Sequence, residues 1–147
     1  MTPFHDFFTE NTNRANKFNI HWQIARVDAR DIKDIDSKIN HVMKYLDTNK
    51  NVHNYGRVHN WVKMTGVAYK GDDRKKFEDT LASLEKNKEK YSSTEDNDGD
   101  LGKISTDDLR KVHKDLSKRK YGFQYKTVPK AHTDFMTQLD NELGSRK

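Results

Sequence analysis

Apolar residues recur at three- and four-residue spacing along most of this chain, and that period constrains the fold more than any other feature. Ile32, Ile35, Ile39, Val42, Met43 and Leu46 keep it without a break. Side chains so spaced line one side of a helix, whereas on a strand they would fall on both faces. The same period runs through Tyr55, Val58, Trp61, Val62, Thr65 and Tyr69, and then through Phe77, Leu81, Leu84 and Tyr91. It returns in Leu109, Val112 and Leu116, and in Phe135, Met136, Leu139 and Leu143. Ile20, Ile24 and Val27 also fit a helix. There a strand competes, because Ile20, Trp22 and Ile24 alternate; we read a helix.

Local start and stop signals agree with this pattern. Thr2-Pro3 offers a capping hydroxyl followed by proline at a first helical position, and Phe4, Phe7 and Phe8 then share one face. Asp31 is placed to cap the helix that begins at Ile32. Gly71 fits a helix stop and Asp72 the next cap, and Gly144 closes the last helix. Ser105 and Asp108 match a capping box with Asp in place of Glu. Pro129 opens the last helix, so both prolines of the chain sit at helix starts. Gly56 and Gly66 each weaken the helix around Trp61 by roughly 1 kcal/mol relative to Ala.

The core available to these helices is thin. Only 32% of the 147 residues are apolar, although 2 Trp, 6 Tyr and 7 Phe argue against disorder. The expected fold is all-α: a single domain of six or seven short helices. Its N-terminal helical part is expected over residues 1–91, a polar acidic linker over 92–104, and a C-terminal helical pair of the same domain over 105–147. With no cysteine, disulfides, thiolate metal sites and cysteine nucleophiles are excluded together. A small secreted domain this poor in apolar residues usually needs such staples, so an intracellular (cytoplasmic) location or a place within a virion is expected. No apolar run is long enough to span a membrane, and the N-terminus lacks the pattern of a signal peptide.

The chemistry-bearing residues offer binding more readily than catalysis. None of the 7 histidines forms H-x-x-x-H or H-E-x-x-H, and no G-x-S-x-G, Walker loop or G-x-G-x-x-G is present. No enzyme is expected. Two segments interleave cations with rings or stack them on a helix. In 53–76, Arg57, Trp61, Lys63 and Lys70 could hold phosphates while rings stack on bases. There Tyr55, Val58, Trp61, Val62 and Tyr69 also read as a buried stripe, with the cations on its wet side. In 110–130, Lys111, Lys114 and Lys118 follow helical spacing and make a basic ridge, partly offset by Asp107, Asp108 and Asp115. The net charge of +5 permits nucleic-acid binding without demanding it. The face of Phe4, Phe7 and Phe8 suits either the chain's own core or a groove on a protein partner.

Two resemblances add to this reading. Asp96, Asp98 and Asp100 give D-x-D-x-D, followed by Gly102 and Ile104. This resembles an EF-hand loop in a non-standard register. With Asp96 as position 1, Leu101 stands at position 6, Lys103 at 8 and Asp107 at 12. A one-residue insertion would restore Gly102 and Ile104 to near their roles and make Asp108 the last ligand. That resemblance implies Ca²⁺ as the one cofactor; the plain alternative is a solvated acidic loop favouring the next helix N-terminus. The opening M-x-x-F-x-x-F-x-x-E, and the stretch Gly56-Arg57-Val58-His59-Asn60-Trp61-Val62-Lys63, resemble small proteins of large contractile-tailed bacteriophages. Some leaders of this kind on head proteins are removed after a glutamate; Phe8-Thr9-Glu10 corresponds, with Phe8 where those proteins prefer Leu or Ile. This resemblance implies a virion or assembly component, or a host-takeover factor.

The sequence thus leads first to a non-enzymatic protein-interaction or assembly component anchored by Phe4, Phe7 and Phe8, binding a partner or itself and no membrane. The alternative is a sequence-nonspecific nucleic-acid-binding accessory protein using both basic segments. The third reading is a calcium-responsive helix pair around Asp96, Asp98, Asp100 and Asp108.

Overall fold

The structure, a computed structural model of the chain, describes residues 19–91, 100–119 and 129–146. Those residues form an all-α protein with no strand among them. The helices are α1 (Ile20–Asp31), α2 (Ile35–Thr48), α3 (Val52–Gly66), α4 (Gly71–Lys86), α5 (Thr106–Ser117) and α6 (Lys130–Ser145), with 3₁₀ turns at Lys88–Tyr91 and Leu101–Lys103. The chain divides into two compact units, Met1–Val27 with Asn97–Lys147, and Asp28–Asp96. The helix expected over the Phe4 segment lies outside the described residues.

The first unit is built on one apolar cluster. Ile20 of α1 packs with Leu109, Val112 and Leu116 of α5 and with Phe135 and Leu139 of α6. Leu101 and Ile104, at the end of the acidic stretch, pack against that cluster too. The Arg146 guanidinium fixes them by donating to the Leu101 and Ile104 carbonyls at 2.9 and 2.7 Å. Ser105 caps α5, accepting from the Asp108 N–H at 3.1 Å, and Pro129 stands just before α6 as its spacing requires. Helix α6 runs to Ser145, one residue past Gly144.

Helix α1 explains why its sequence also looked like a strand. Asn19 caps it, its side-chain oxygen accepting from the His21 and Trp22 N–H groups. Ile20, Gln23 and Val27 are buried on one side, and Trp22, Ala25 and Ala29 on the opposite side. A helix buried on two sides loses its single-stripe signature.

In the second unit α3 packs against α2, α4 and the 3₁₀ turn at Lys88–Tyr91, and α2 also packs against α4. Its buried residues include Ile39, Val42, Leu46, Val58, Val62, Phe77 and Leu84. Helix α2 starts three residues later than the sequence signals indicate. Asp34 is its cap, accepting from the Ser37 N–H and hydroxyl at 2.9 and 2.8 Å, while Asp31 ends α1. These bonds from Ser37 hold the Asp34 carboxyl below its ordinary range. The break between the helices is sealed from a distance, because the Lys38 ammonium donates to the Ala29 carbonyl at 2.7 Å. A cation there adds a second donor to a carbonyl that also accepts from the Ile32 N–H at 3.2 Å, and it meets the negative end of the helix dipole.

The turn from α2 into α3 is held by amides. Asn51 caps α3 through the Asn54 N–H at 3.0 Å, and Asn54 Nδ2 donates to the Asn49 carbonyl at 2.8 Å. Asn54 Oδ1 accepts from the Tyr45 hydroxyl at 3.1 Å and from Arg57 at 2.6 Å. Helix α3 ends at Gly66, so Tyr69 lies beyond it. Gly71, read as a stop, instead opens α4 with φ of +62°, a left-handed value that favours glycine. Asp72 and Asp73 then sit in the first turn, where the helix dipole favours them without capping geometry.

Candidate functional site

The ridge on α5 follows directly from how that helix is buried. Leu109, Val112 and Leu116 are fully buried, so the opposite side of the helix faces outward. Arg110, Lys111, Lys114 and Lys118 are all exposed on that outer side. Arg110, Lys114 and Lys118 are spaced i, i+4, i+8 and stack one turn above another over about 12 Å. None of these three makes an ion pair among the described residues. Lys111 reaches Asp108 at 3.8 Å.

The acidic residues that offset this ridge in the sequence do so unequally in three dimensions. Asp115 is turned away onto Arg26 of α1, in a short contact, with its side chain only 8% exposed. Arg26 is held for this by Gln23 Oε1 at 2.9 Å. Asp108 is shared with Lys111 and Asp107 stands at the N-terminal end of α5. The middle and C-terminal end of the ridge are therefore more positive than the charge count along the segment indicates.

Next to the ridge, His113 Nε2 meets Asp140 Oδ1 of α6 at 2.7 Å, and Ser117 Oγ lies 3.5 Å from His113 Nδ1. A serine, a histidine and an aspartate are thus neighbours. The Ser117 hydroxyl donates instead to the His113 carbonyl one turn back, at 2.7 Å. That is the ordinary back-bond of a helical serine.

The residues of the other basic segment lie in the second unit. Lys63 and Lys70 are exposed, and Arg57 is half-buried, donating to Asn54. Trp61 is half-buried and tilted on Phe77 at 6.3 Å, and Tyr69 stacks on Phe77 at 4.9 Å. Tyr55 is buried and stacks on Tyr91 at 6.0 Å. The rings that interleave these cations are thus engaged with one another inside the unit.

Of the acidic-loop residues, Asp100 and Asp108 are described. Asp100 accepts from the Gly102 N–H at 2.9 Å, capping the 3₁₀ turn. Asp96 and Asp98, like Phe4, Phe7 and Phe8, lie outside the described residues. Among the described residues no three His, Asp or Glu side chains gather as a metal site.

Sequence reasoning missed the Arg26–Asp115 pair, whose partners lie 89 residues apart with no local signal. It also missed the His59–Glu85 contact at 3.3 Å between α3 and α4. No helix among the described residues is long and apolar enough to cross a membrane. Comparison of the chain with protein-family models, curated proteins and solved structures finds no match.

Proposed function

We propose that the chain is a non-enzymatic accessory protein that binds nucleic acid without reading its sequence, holding phosphates along α5. The observation that carries this reading is the freeing of the ridge: Asp115 turns onto Arg26, and Arg110, Lys114 and Lys118 stand exposed, with no ion pair among the described residues. A straight row of flexible cations suits a row of phosphates. Each contact releases condensed counterions, so affinity comes from salt release and carries no base information. Three such contacts imply a log–log salt slope of about −2.7, or roughly a 40-fold loss between 50 and 200 mM salt. Anisotropy titrations of labelled duplexes of two unrelated sequences test this. The expected result is binding at 50 mM that falls by about that factor and equally for both duplexes. No binding at the lower salt would refute it.

A second reading, the protein-interaction or assembly component implied by the phage resemblance, has its own support. Val52, Met64 and Val67, on or just after α3, are 48%, 62% and 60% exposed. Apolar side chains this exposed are the kind that a protein partner covers. Here Phe7→Ser or Met64→Ser weakens association with a partner or with itself, with little dependence on salt. Association unchanged in both variants would count against it.

A further inference from the structure

The basic row on α5 is one residue wide. A helix turns about 100° per residue, so Arg110, Lys114 and Lys118 drift by only about 40° per step and stay nearly in line. Each step rises about 6 Å. Both flanks of the row carry carboxylates. On one side stand Asp108, which Lys111 reaches at 3.8 Å, and Asp115, held by Arg26. On the other side His113 meets the Asp140 carboxylate of α6, which is 63% exposed. Asp107, exposed in the first turn of α5, closes the N-terminal end.

This pattern selects among polyanions. A helix that enters the major groove lies between two strands and meets phosphates along both of its flanks. Here both flanks would bring carboxylates toward those phosphates, and like charges repel. A single backbone meets only the row. Successive phosphates of one strand rise about 3.4 Å along the axis and wind around it, which sets them roughly 7 Å apart. Two such steps match the two 6 Å steps from Arg110 to Lys118, within the reach of flexible lysine stems. Resting on the phosphate-binding reading above, we infer that α5 follows the backbone of one strand without entering a groove, so that a single strand is itself a partner. The second strand of a duplex adds no contact. The three cations bring no ring with them, and the neighbouring His113 ring is held by Asp140, so the bases are left unread.

The salt slope of single-strand binding by the full chain tests this. Labelled oligothymidylate of about 12 nucleotides, the same strand paired with oligoadenylate, and oligouridylate are titrated by anisotropy at salt concentrations between about 50 and 200 mM. Three phosphates on a single strand imply a slope of about −2.1, a loss of roughly 18-fold across that range, and on the duplex about −2.7. Lys114→Ala/Lys118→Ala is expected to bring the single-strand slope to about −0.7, while Lys44→Ala/Lys50→Ala leaves it nearly unchanged. A DNA strand and an RNA strand share this chemistry, and both are expected to bind with that slope; if only one of them binds so, it is the source. Binding of the duplex with no binding of either single strand overturns the inference and leaves the ridge as a phosphate-binding surface. No binding of any of the three overturns both. A single-strand slope that persists in the ridge variant overturns the assignment of the strand to α5.

Discussion

Gly56→Ala and Gly66→Ala make the same chemical change on one helix, and the two are expected to act in opposite directions. From the sequence both glycines simply weaken α3. At Gly56 the new methyl enters open space, so only the gain in helix propensity remains, about 1 kcal/mol. At Gly66 the new Cβ would lie 2.7 Å from Phe77 Cβ and 3.2 Å from Phe77 Cγ. Unstrained carbon contacts begin near 3.5 Å, so α3 and α4 must part by most of an ångström. Phe77 Cβ is fixed to the backbone and cannot swing aside as a side-chain tip would. Overpacking of this kind costs about 1–3 kcal/mol. The propensity gain offsets little of that, because Gly66 is the last residue of the helix. The two variants are therefore expected to differ by about 2–4 kcal/mol, with Gly56→Ala above wild type and Gly66→Ala below. Urea denaturation followed by far-ultraviolet circular dichroism reads both in the same unit. Midpoints that move in the same direction would refute the close approach of α3 to Phe77.

Other expectations follow from named contacts. Asp115→Ala takes the carboxylate from the largely buried Arg26 and is expected to cost about 2–3 kcal/mol, whereas Asp107→Ala stays within about 0.5 kcal/mol; equal effects in a denaturant titration would contradict the buried pair. Burial, and then the Arg119 charge, hold the His132 imidazole below its ordinary value of 6.5. The unfolded chain therefore takes up this proton first. Stability is full above about 6.5 and is lost as pH falls from there through the lower folded-state value. His132→Gln should flatten that part of a stability–pH curve, and an unchanged slope would count against it. Asn54→Ala removes bonds to Tyr45, Asn49 and Arg57 and is expected to cost about 2–3 kcal/mol in thermal unfolding, against less than about 1 kcal/mol for the exposed Asn60→Ala.

What the sequence made legible was local. The Ser105 cap and the Pro129 start each depend on residues within one turn, and both stand where their spacing puts them. The all-α class followed from the apolar period alone. The start of α2 was not legible, because the choice of Asp34 over Asp31 goes with Lys38, which closes the end of α1 from the next helix. Gly71 misled for a related reason: a left-handed residue can end one helix or open the next, and sequence does not distinguish them. The basic ridge could be read from spacing, but its balance of charge could not. Asp115 counts against the ridge by position and is drawn from it by Arg26, on another helix. Gly56 and Gly66 were visible only as weaknesses, since what a side chain would meet at each depends on residues distant in sequence.

The central claim is that α5 holds phosphates through Lys114 and Lys118. It is tested most directly by the salt slope of duplex binding in Lys114→Ala/Lys118→Ala, measured against Lys44→Ala/Lys50→Ala, which removes the same charge elsewhere. The expected result is a slope smaller by about 2 in the ridge variant and nearly unchanged in the control. Equal slopes in the two variants would contradict the ridge as the binding surface.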